Sequence, residues 1–521
     1  MSVEQSYGEK EHKSYGVQAE TRDIFTDDSL DPVYQAKARI LNDALQEIGM
    51  GKYQWFLFVV TGFGWLSDNL WPIVTGLILT PVMNEFNVLG PWLKLAQMLG
   101  FLVGAAFWGA AADVWGRRWA FNITLGITGL FAIPAGGSLN YVALCSLTAA
   151  WSVGVGGNLS VDSAVFLEFI PASHQYLLTV LSVWWAIGQL LGSLVAWPLL
   201  ANYSCPTTVP PSPCPRSSNE GWRYFLFAMG GLMMFLWVIR FFVFNLYESP
   251  KYLMGRGRDD QAVAVVHKVA AYNGKTSNLT LEDLRRAGKL ADSASDDYVP
   301  MDASILAITR RKMGMFSSNH VQSLFATRKM ARSTTILIIL WAFIGLAFPL
   351  YNGFLPYFLA TRGADFGDSS TYITYRNQVI LSVIGVPGAL MAGYFVELQF
   401  LGRRGTMVIF TVLTGVFVLA STTARTSNEL LGWNCAYSYA SNVMYGVLYA
   451  ISPELFPTKD RGTGNAIVAT ANRIFGVMSP IIALYANLTT SVPIWIAGAF
   501  FVVTGLIALL LPFEPRGHAS L

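Results

Sequence analysis

Charge is scarce in this chain. Asp, Glu, Lys and Arg make up 13% of its 521 residues, while 53% are hydrophobic, and the mean hydropathy is +0.43. Soluble domains carry roughly a quarter charged residues, so the natural solvent here is lipid. Five histidines and four cysteines, scattered along the chain, form no metal array and no paired zinc spacing. No phosphate-cradling glycine loop and no Ser/His/Asp set is evident either. No cofactor or metal is expected, and an integral-membrane enzyme is the reading these absences argue against. A formal net charge of +3 gives no basis for nucleic-acid binding. Residues 1–50 are polar and charged throughout, with no cleavable leader, so the first apolar run is expected to act as its own anchor.

Long apolar runs are what the chain has. At about 20 residues per crossing, spans are expected near 54–82, 90–111, 118–138, 140–166, 175–200, 223–246, 333–360, 376–397, 405–422, 430–452, 464–487 and 491–513. That predicts an all-α membrane protein with twelve transmembrane helices in two pseudo-symmetric six-helix halves, 54–246 and 333–513. A tail at 1–53, a polar loop at 247–332 and a short tail at 514–521 complete the chain. The first tail has a possible helix from Asp31 to Ile48, ending at Gly49. In the loop, short helices are expected from Asp259 to Ala271 and from Thr280 onward. Cationic residues concentrate on one side of this layout: Arg117, Arg118, Arg403, Arg404, Lys459, Arg461 and the many in the central loop. The other side holds little beyond Lys94, Arg216, Arg362 and Arg425. The positive-inside rule then places both termini in the cytoplasm. Cys205 and Cys214 share an outer, proline-rich loop, where a disulfide is expected; the alternative is two free thiols. Asn202, in the sequon Asn202-Tyr203-Ser204, lies on the same loop as a glycosylation candidate.

One signature occurs twice. Gly109, Asp113, Gly116, Arg117 and Arg118 are followed, fifty residues after Arg118, by Glu168, Phe169, Ile170 and Pro171. Gly393, Glu397, Gly402, Arg403 and Arg404 are followed, fifty residues after Arg404, by Glu454, Leu455, Phe456 and Pro457. Matched spacing in both halves points to internal duplication, an architecture associated with transporters. The first copy resembles the loop between the second and third helices of the major facilitator superfamily. Glu248-Ser249-Pro250 after the sixth span, and Pro453 to Thr458 with Arg461, resemble its sugar porters. Gly49, Gly51, Tyr53, Gln54, Trp55, Asp68, Gly156, Gly157, Asn158, Val161 and Asp162 resemble a branch related to synaptic-vesicle transporters, with many fungal members. Two departures stand out. Trp71 occupies the place where that branch often has a second acid, and the second signature is two residues longer than the first.

The resemblance implies a secondary transporter working by alternating access. A charged side chain deep in a span costs roughly 2.5–3.5 kcal/mol, so Asp68, Asp162 and Arg473 are candidates for proton coupling. Either acid would carry the proton, with Arg473 as counter-charge or anchor for an anionic substrate. Asn158, Gln189, Asn352, Gln378, Asn434, Asn442 and Tyr445 are candidate substrate ligands, with Trp65, Tyr437 and Tyr449 as aromatic walls. Asp113, Arg117, Arg118, Glu168, Glu397, Arg403, Arg404, Glu454 and Arg461 are candidate gating residues, with Glu168 facing Arg118 and Glu454 facing Arg404. The expected partners are protons, a small polar solute or organic anion, and the lipid bilayer, around a monomer in the plasma membrane. Proton symport is the favoured mode; antiport export, uncoupled facilitation and a non-transporting sensor are the rivals. Glycosidase treatment should increase the gel mobility of the wild type, and Asn202→Gln should migrate in the same position without treatment.

Overall fold

Helices dominate the computed structural model, which describes residues 32–174, 177–205, 214–292, 324–367, 370–398, 400–456, 461–488 and 490–512. The first helix, α1 (Pro32–Ile48), ends at Gly49, whose φ of +67° turns the chain into α2 (Lys52–Leu77). Then follow α3 (Leu79–Phe86), α4 (Pro91–Trp115), α5 (Arg117–Gly136), α6 (Tyr141–Phe169), α7 (Leu177–Val180), α8 (Val183–Tyr203) and α9 (Gly221–Val238). A π-turn, Ile239–Val243, closes that half. Three short helices, α10 (Pro250–Gly255), α11 (Asp259–Tyr272) and α12 (Leu281–Asp292), lie between the halves in sequence. The second half runs through α13 (Arg328–Asn352), α14 (Leu355–Asp365), α15 (Thr371–Glu397), α16 (Gly402–Ser421), α17 (Ser427–Leu455), α18 (Arg461–Tyr485) and α19 (Val492–Ala508).

These helices make twelve crossings. The first expected span divides into α2 and α3, the fifth into α7 and α8, and the seventh into α13 and α14. Nine helices among the described residues are long and apolar enough to cross a membrane. Two further long helices, α2 and α17, carry more polar residues, including Asp68 and Asn69 in one and Asn434 and Asn442 in the other. Polar side chains inside a bundle usually face its interior or a cavity, so these two helices are candidates to line the path.

The halves repeat each other's packing. The pairs α4–α6, α5–α6, α5–α9 and α2–α8 in the first half answer to α15–α17, α16–α17, α16–α19 and α13–α18 in the second. Between halves, α8 meets α15 and α4 meets α18, a reciprocal exchange consistent with a pseudo-twofold axis. Small residues allow the close approaches within each half. Gly100 and Gly104 of α4 lie against the backbone of Ala149 and Val153 in α6, and Gly156 of α6 lies against the Phe101 backbone. In lipid, helix association depends on such contact rather than on water release.

Both copies of the duplicated signature turn on a glycine. Gly116 has φ +100° and Gly402 has φ +57°, conformations that disfavour a side chain. Each lets a new helix begin within a residue of the previous turn. Beneath them, α1 packs on α10, α11 and α12. Lys37 Nζ lies 2.6 Å from Asp259 Oδ2, and Lys275 Nζ donates to the Ile48 carbonyl at 2.6 Å. Asn273 accepts the Tyr53 N–H through Oδ1 and donates to Gln54 Oε1, both at 2.9 Å. The Tyr53 ring stacks on Tyr247 at 5.4 Å. The segment read as a tail thus contains a helix fastened to the connecting loop. Substituting Gly156→Leu should force α4 and α6 apart at a cost of about 1–3 kcal/mol, read as a lower melting temperature of the purified protein.

Candidate functional site

Asp68 and Asp162 each pair with a different arginine. Asp68, one turn before Pro72 in α2, faces Arg473 of α18, with Arg473 Nη2 3.4 Å from Asp68 Oδ1. This pair joins the halves and keeps some exposure, 14% for the acid and 25% for the arginine. The second pair is Asp162 of α6 with Arg240 of the π-turn, both fully buried. The Arg240 guanidinium also covers the Phe121 ring, 3.2 Å from its centroid. Asp162 therefore does not share Arg473, the arrangement in which one arginine serves both acids. The four residues fall into separate pairs because α2 faces the opposite half whereas Asp162 faces α9 within its own half.

Around the pairs lies a layer of aromatic and amide groups. Trp65 packs on Trp185 at 4.9 Å, Trp185 on Tyr449 at 4.6 Å, and Tyr449 on Trp341 at 4.8 Å, a run of rings crossing from α2 and α8 to α17 and α13. Tyr445 packs edge-on against Phe348 at 4.7 Å. Asn158 is fully buried and neither of its amide atoms has a hydrogen-bond partner among the described residues. The same holds for Gln378 Oε1, Asp162 Oδ2, Arg240 Nε and Nη1, and the indole N–H groups of Trp65 and Trp185. Buried polar atoms are rarely left so, so Asn158, Gln378 and the two indole N–H groups are candidates for contact with a polar solute or water.

The other candidates divide. Gln189 is buried on α8, one turn before Ser193, whose hydroxyl meets Ser382 of α15 at 2.8 Å across the halves. Asn434 is committed: it accepts from Tyr351 Oη at 2.8 Å and donates to the Leu430 carbonyl at 2.9 Å. Asn442 donates to its own helix at Ser438, beside Gly385 and Gly388 of α15. Asn352 is half-buried at the end of α13. Further from the centre, Tyr375 Oη donates to the Leu77 carbonyl and Thr371 Oγ1 to the Ala201 carbonyl, each at 3.0 Å, joining the halves near the disulfide end. Cys205 and Cys214 are bonded there, with Cα atoms 6.1 Å apart, and Asn202 is exposed beside them.

At the opposite end, Glu168 pairs with Arg117 at 3.1 Å rather than with Arg118. Successive helical residues point about 100° apart, so only one of the two arginines can face α6. Arg118 is exposed. The start of α5 is capped by Glu248, whose carboxylate accepts the Arg117 N–H at 2.9 Å and the Arg118 N–H at 3.3 Å. Burial pushes the Glu248 carboxyl up, and the N–H groups of Ser249, Arg118 and Arg117 oppose that shift. In the second half, Arg404 donates to the Leu509 carbonyl. The side chains of Asp113, Glu397, Glu454 and Arg461 lie outside the described residues, and so does the expected Glu454–Arg404 pairing.

Four charged residues with little exposure were missed or misplaced by the sequence reading. Arg240 sits inside the apolar run 223–246, where a count of every ionisable residue within spans would have found it. Glu85 and Arg223 form a two-pronged pair, at 2.9 and 2.6 Å, that also takes the Trp222 indole N–H. Lys94, read as an outer-loop cation, is instead 1% exposed in α4 and donates to the Pro72 carbonyl at 2.6 Å. Trp71, where an acid is often found in the branch, packs on Trp151 at 5.0 Å.

A model of the family described as "Sugar (and other) transporter" matches residues 83–515. The chain belongs to that family. Within the major facilitator superfamily, this sugar-transporter family member is 58% identical over 503 residues to MFS siderochrome iron transporter 1 of Ceriporiopsis subvermispora, covering 96% of this chain and 94% of that one. It is 50% identical over 514 residues to an uncharacterized MFS-type transporter of Schizosaccharomyces pombe, covering 96% and 92%. In fold it is similar to the xylose transporter XylE from E. coli in a partially occluded inward-open conformation. The TM-score is 0.65 at 16% identity, over 90% of this chain and 99% of that one.

The enclosed pair predicts a non-additive response. Arg240→Ala should cost about 3–5 kcal/mol by leaving the Asp162 carboxylate buried and alone. Asp162→Asn combined with Arg240→Met should cost less than Arg240→Ala by itself, as read from denaturation in detergent.

Proposed function

We propose that this transporter moves a small polar solute or organic anion by proton-coupled symport, with Asp68 as the proton site and Arg473 as its counter-charge. The observation that carries this reading is the Asp68–Arg473 contact, 3.4 Å long and contributed by opposite halves. Any rocking of one half against the other must change that distance. Asp162 and Arg240 belong to the same half, so rocking can leave them together. Protonating Asp68 removes its attraction to Arg473 and frees the halves to part; losing the proton on the other side restores it. Pro72, one turn on, cannot donate to the Asp68 carbonyl, which weakens α2 where it must bend. Each charge moved through 100 mV supplies about 2.3 kcal/mol, enough to drive accumulation of tens of fold.

Asn158, Gln189, Gln378 and Tyr445 are the proposed solute contacts, with Asn352, Asn434 and Asn442 shaping the second half's wall. Asp113, Arg117, Arg118, Glu168, Glu397, Arg403, Arg404, Glu454 and Arg461 are proposed to bias opening at the arginine-rich end. An exposed pair contributes only about 0–1 kcal/mol, so they act as a set. The charge asymmetry supports a cytoplasmic placing of that end and of both termini, in a monomer of the plasma membrane. A second reading of the cargo, an iron-carrying siderochrome, is favoured by the name of the 58% identical relative.

Vesicles with an imposed pH gradient, offered sugars, organic acids and ferric siderochromes, test the proposal. Asp68→Asn should abolish gradient-driven accumulation and keep solute exchange, whereas Asp162→Asn should chiefly lower stability. Uptake by the wild type that ignores the gradient would end the coupling argument.

A further inference from the structure

The arginine-rich end also holds a hollow outside the transport path. It lies open between the start of α5 and helices α10 and α11, has a volume of about 440 Å³, and has Arg118, Arg256 and Arg258 among its walls together with Trp115 and Trp119. Its volume is in the range of small-ligand sites, roughly 300–1,000 Å³. Both indoles are more than half exposed, at 54% and 53%. The Arg256 guanidinium lies over the Tyr252 ring, 5.4 Å from its centroid. One acid, Glu248, borders the hollow, but its carboxylate is engaged by the N–H groups of Arg117, Arg118 and Ser249. The rest of its lining is three arginines, three aromatic rings, Leu253 and Gln261.

We propose that this hollow binds the phosphorylated headgroup of an anionic membrane lipid. Arginine's planar fork suits phosphate oxygens, and three arginines converge here. What points to a lipid rather than a soluble phosphate is the surface leading to the hollow. Leu99, Val103 and Phe107 of α4 are exposed, each about 40° round the helix from the one before, and the Phe107 ring lies 5.8 Å from the exposed Trp115 ring, so together they make a continuous apolar band that winds around the helix. That band reaches Trp115, which is itself a wall of the hollow, so acyl chains have an apolar surface next to the arginines. Tryptophans at such a level are characteristic of the membrane–water boundary. The choice of leaflet rests on the orientation proposed above, and the cytoplasmic leaflet is the anionic one. The site itself depends on neither the solute nor proton coupling.

The test uses the full chain in phosphatidylcholine nanodiscs, with and without phosphatidylinositol 4-phosphate, and native mass spectrometry to read retained lipid. The wild type should keep the phosphoinositide after release from the disc. Each arginine near a membrane surface contributes roughly fivefold, so Arg256→Gln with Arg258→Gln should lower retention on the order of twentyfold, with phosphatidylcholine retention unchanged. Arg285→Gln with Arg286→Gln, exposed on α12, is the control for general basic charge and should retain the lipid. Equal retention by the wild type and the Arg256/Arg258 variant, or equal loss in the α12 control, would overturn the proposal. So would soluble inositol 1,4-bisphosphate competing as well as the lipid itself, because the apolar band would then contribute nothing. A melting temperature unchanged in both double variants keeps misfolding out of the reading.

Discussion

A charge inside hydrocarbon has to bring its partner with it, and the placing of those partners organises this molecule. Asp162 and Arg240 are enclosed within one half and shielded by Phe121, an arrangement that holds α6 to the end of α9. Asp68 and Arg473 meet across the divide and stay partly accessible. The chemistry of the two pairs is the same, yet their mechanical meanings differ. One pair lies within a single half, and the other bridges the two halves.

The rest of the architecture serves that difference. Glycines on α4 and α6 let those two helices of the first half pack backbone to backbone. The contacts at Tyr375, Thr371 and Ser193 join the halves along α8 and α15. At the other end, Gly116 and Gly402 supply the tight turns, and Glu248 neutralises the exposed N–H groups of α5. Asn273 and Tyr53 then couple α11 to the start of α2, the helix that carries Asp68. The connecting loop is therefore attached directly to the helix that carries Asp68.

The duplicated signature made much of this legible. Its repeat spacing carried the two-half architecture, and hydropathy carried the crossings to within a few residues. The short helices α11 and α12 were also readable, from acidic first turns at Asp259 and Glu282. Partnership was not readable. Arg117 and Arg118 are adjacent in sequence, and nothing local says which one turns toward Glu168. Arg240 was hidden by the apolar run around it, and Lys94 by its position near the start of a helix.

By itself, the sequence determined that the chain lives in lipid, folds as twelve crossings in repeated halves, and buries a few ionisable groups. Those are consequences of composition and period, which act locally along the chain. Only the tertiary structure decided which acid meets which arginine, that one pair is enclosed while the other bridges the halves, and that Arg118, Arg256 and Arg258 line one hollow. Such pairings depend on the rotation of each helix about its axis and on the crossing of helices distant in sequence, and no local pattern encodes either.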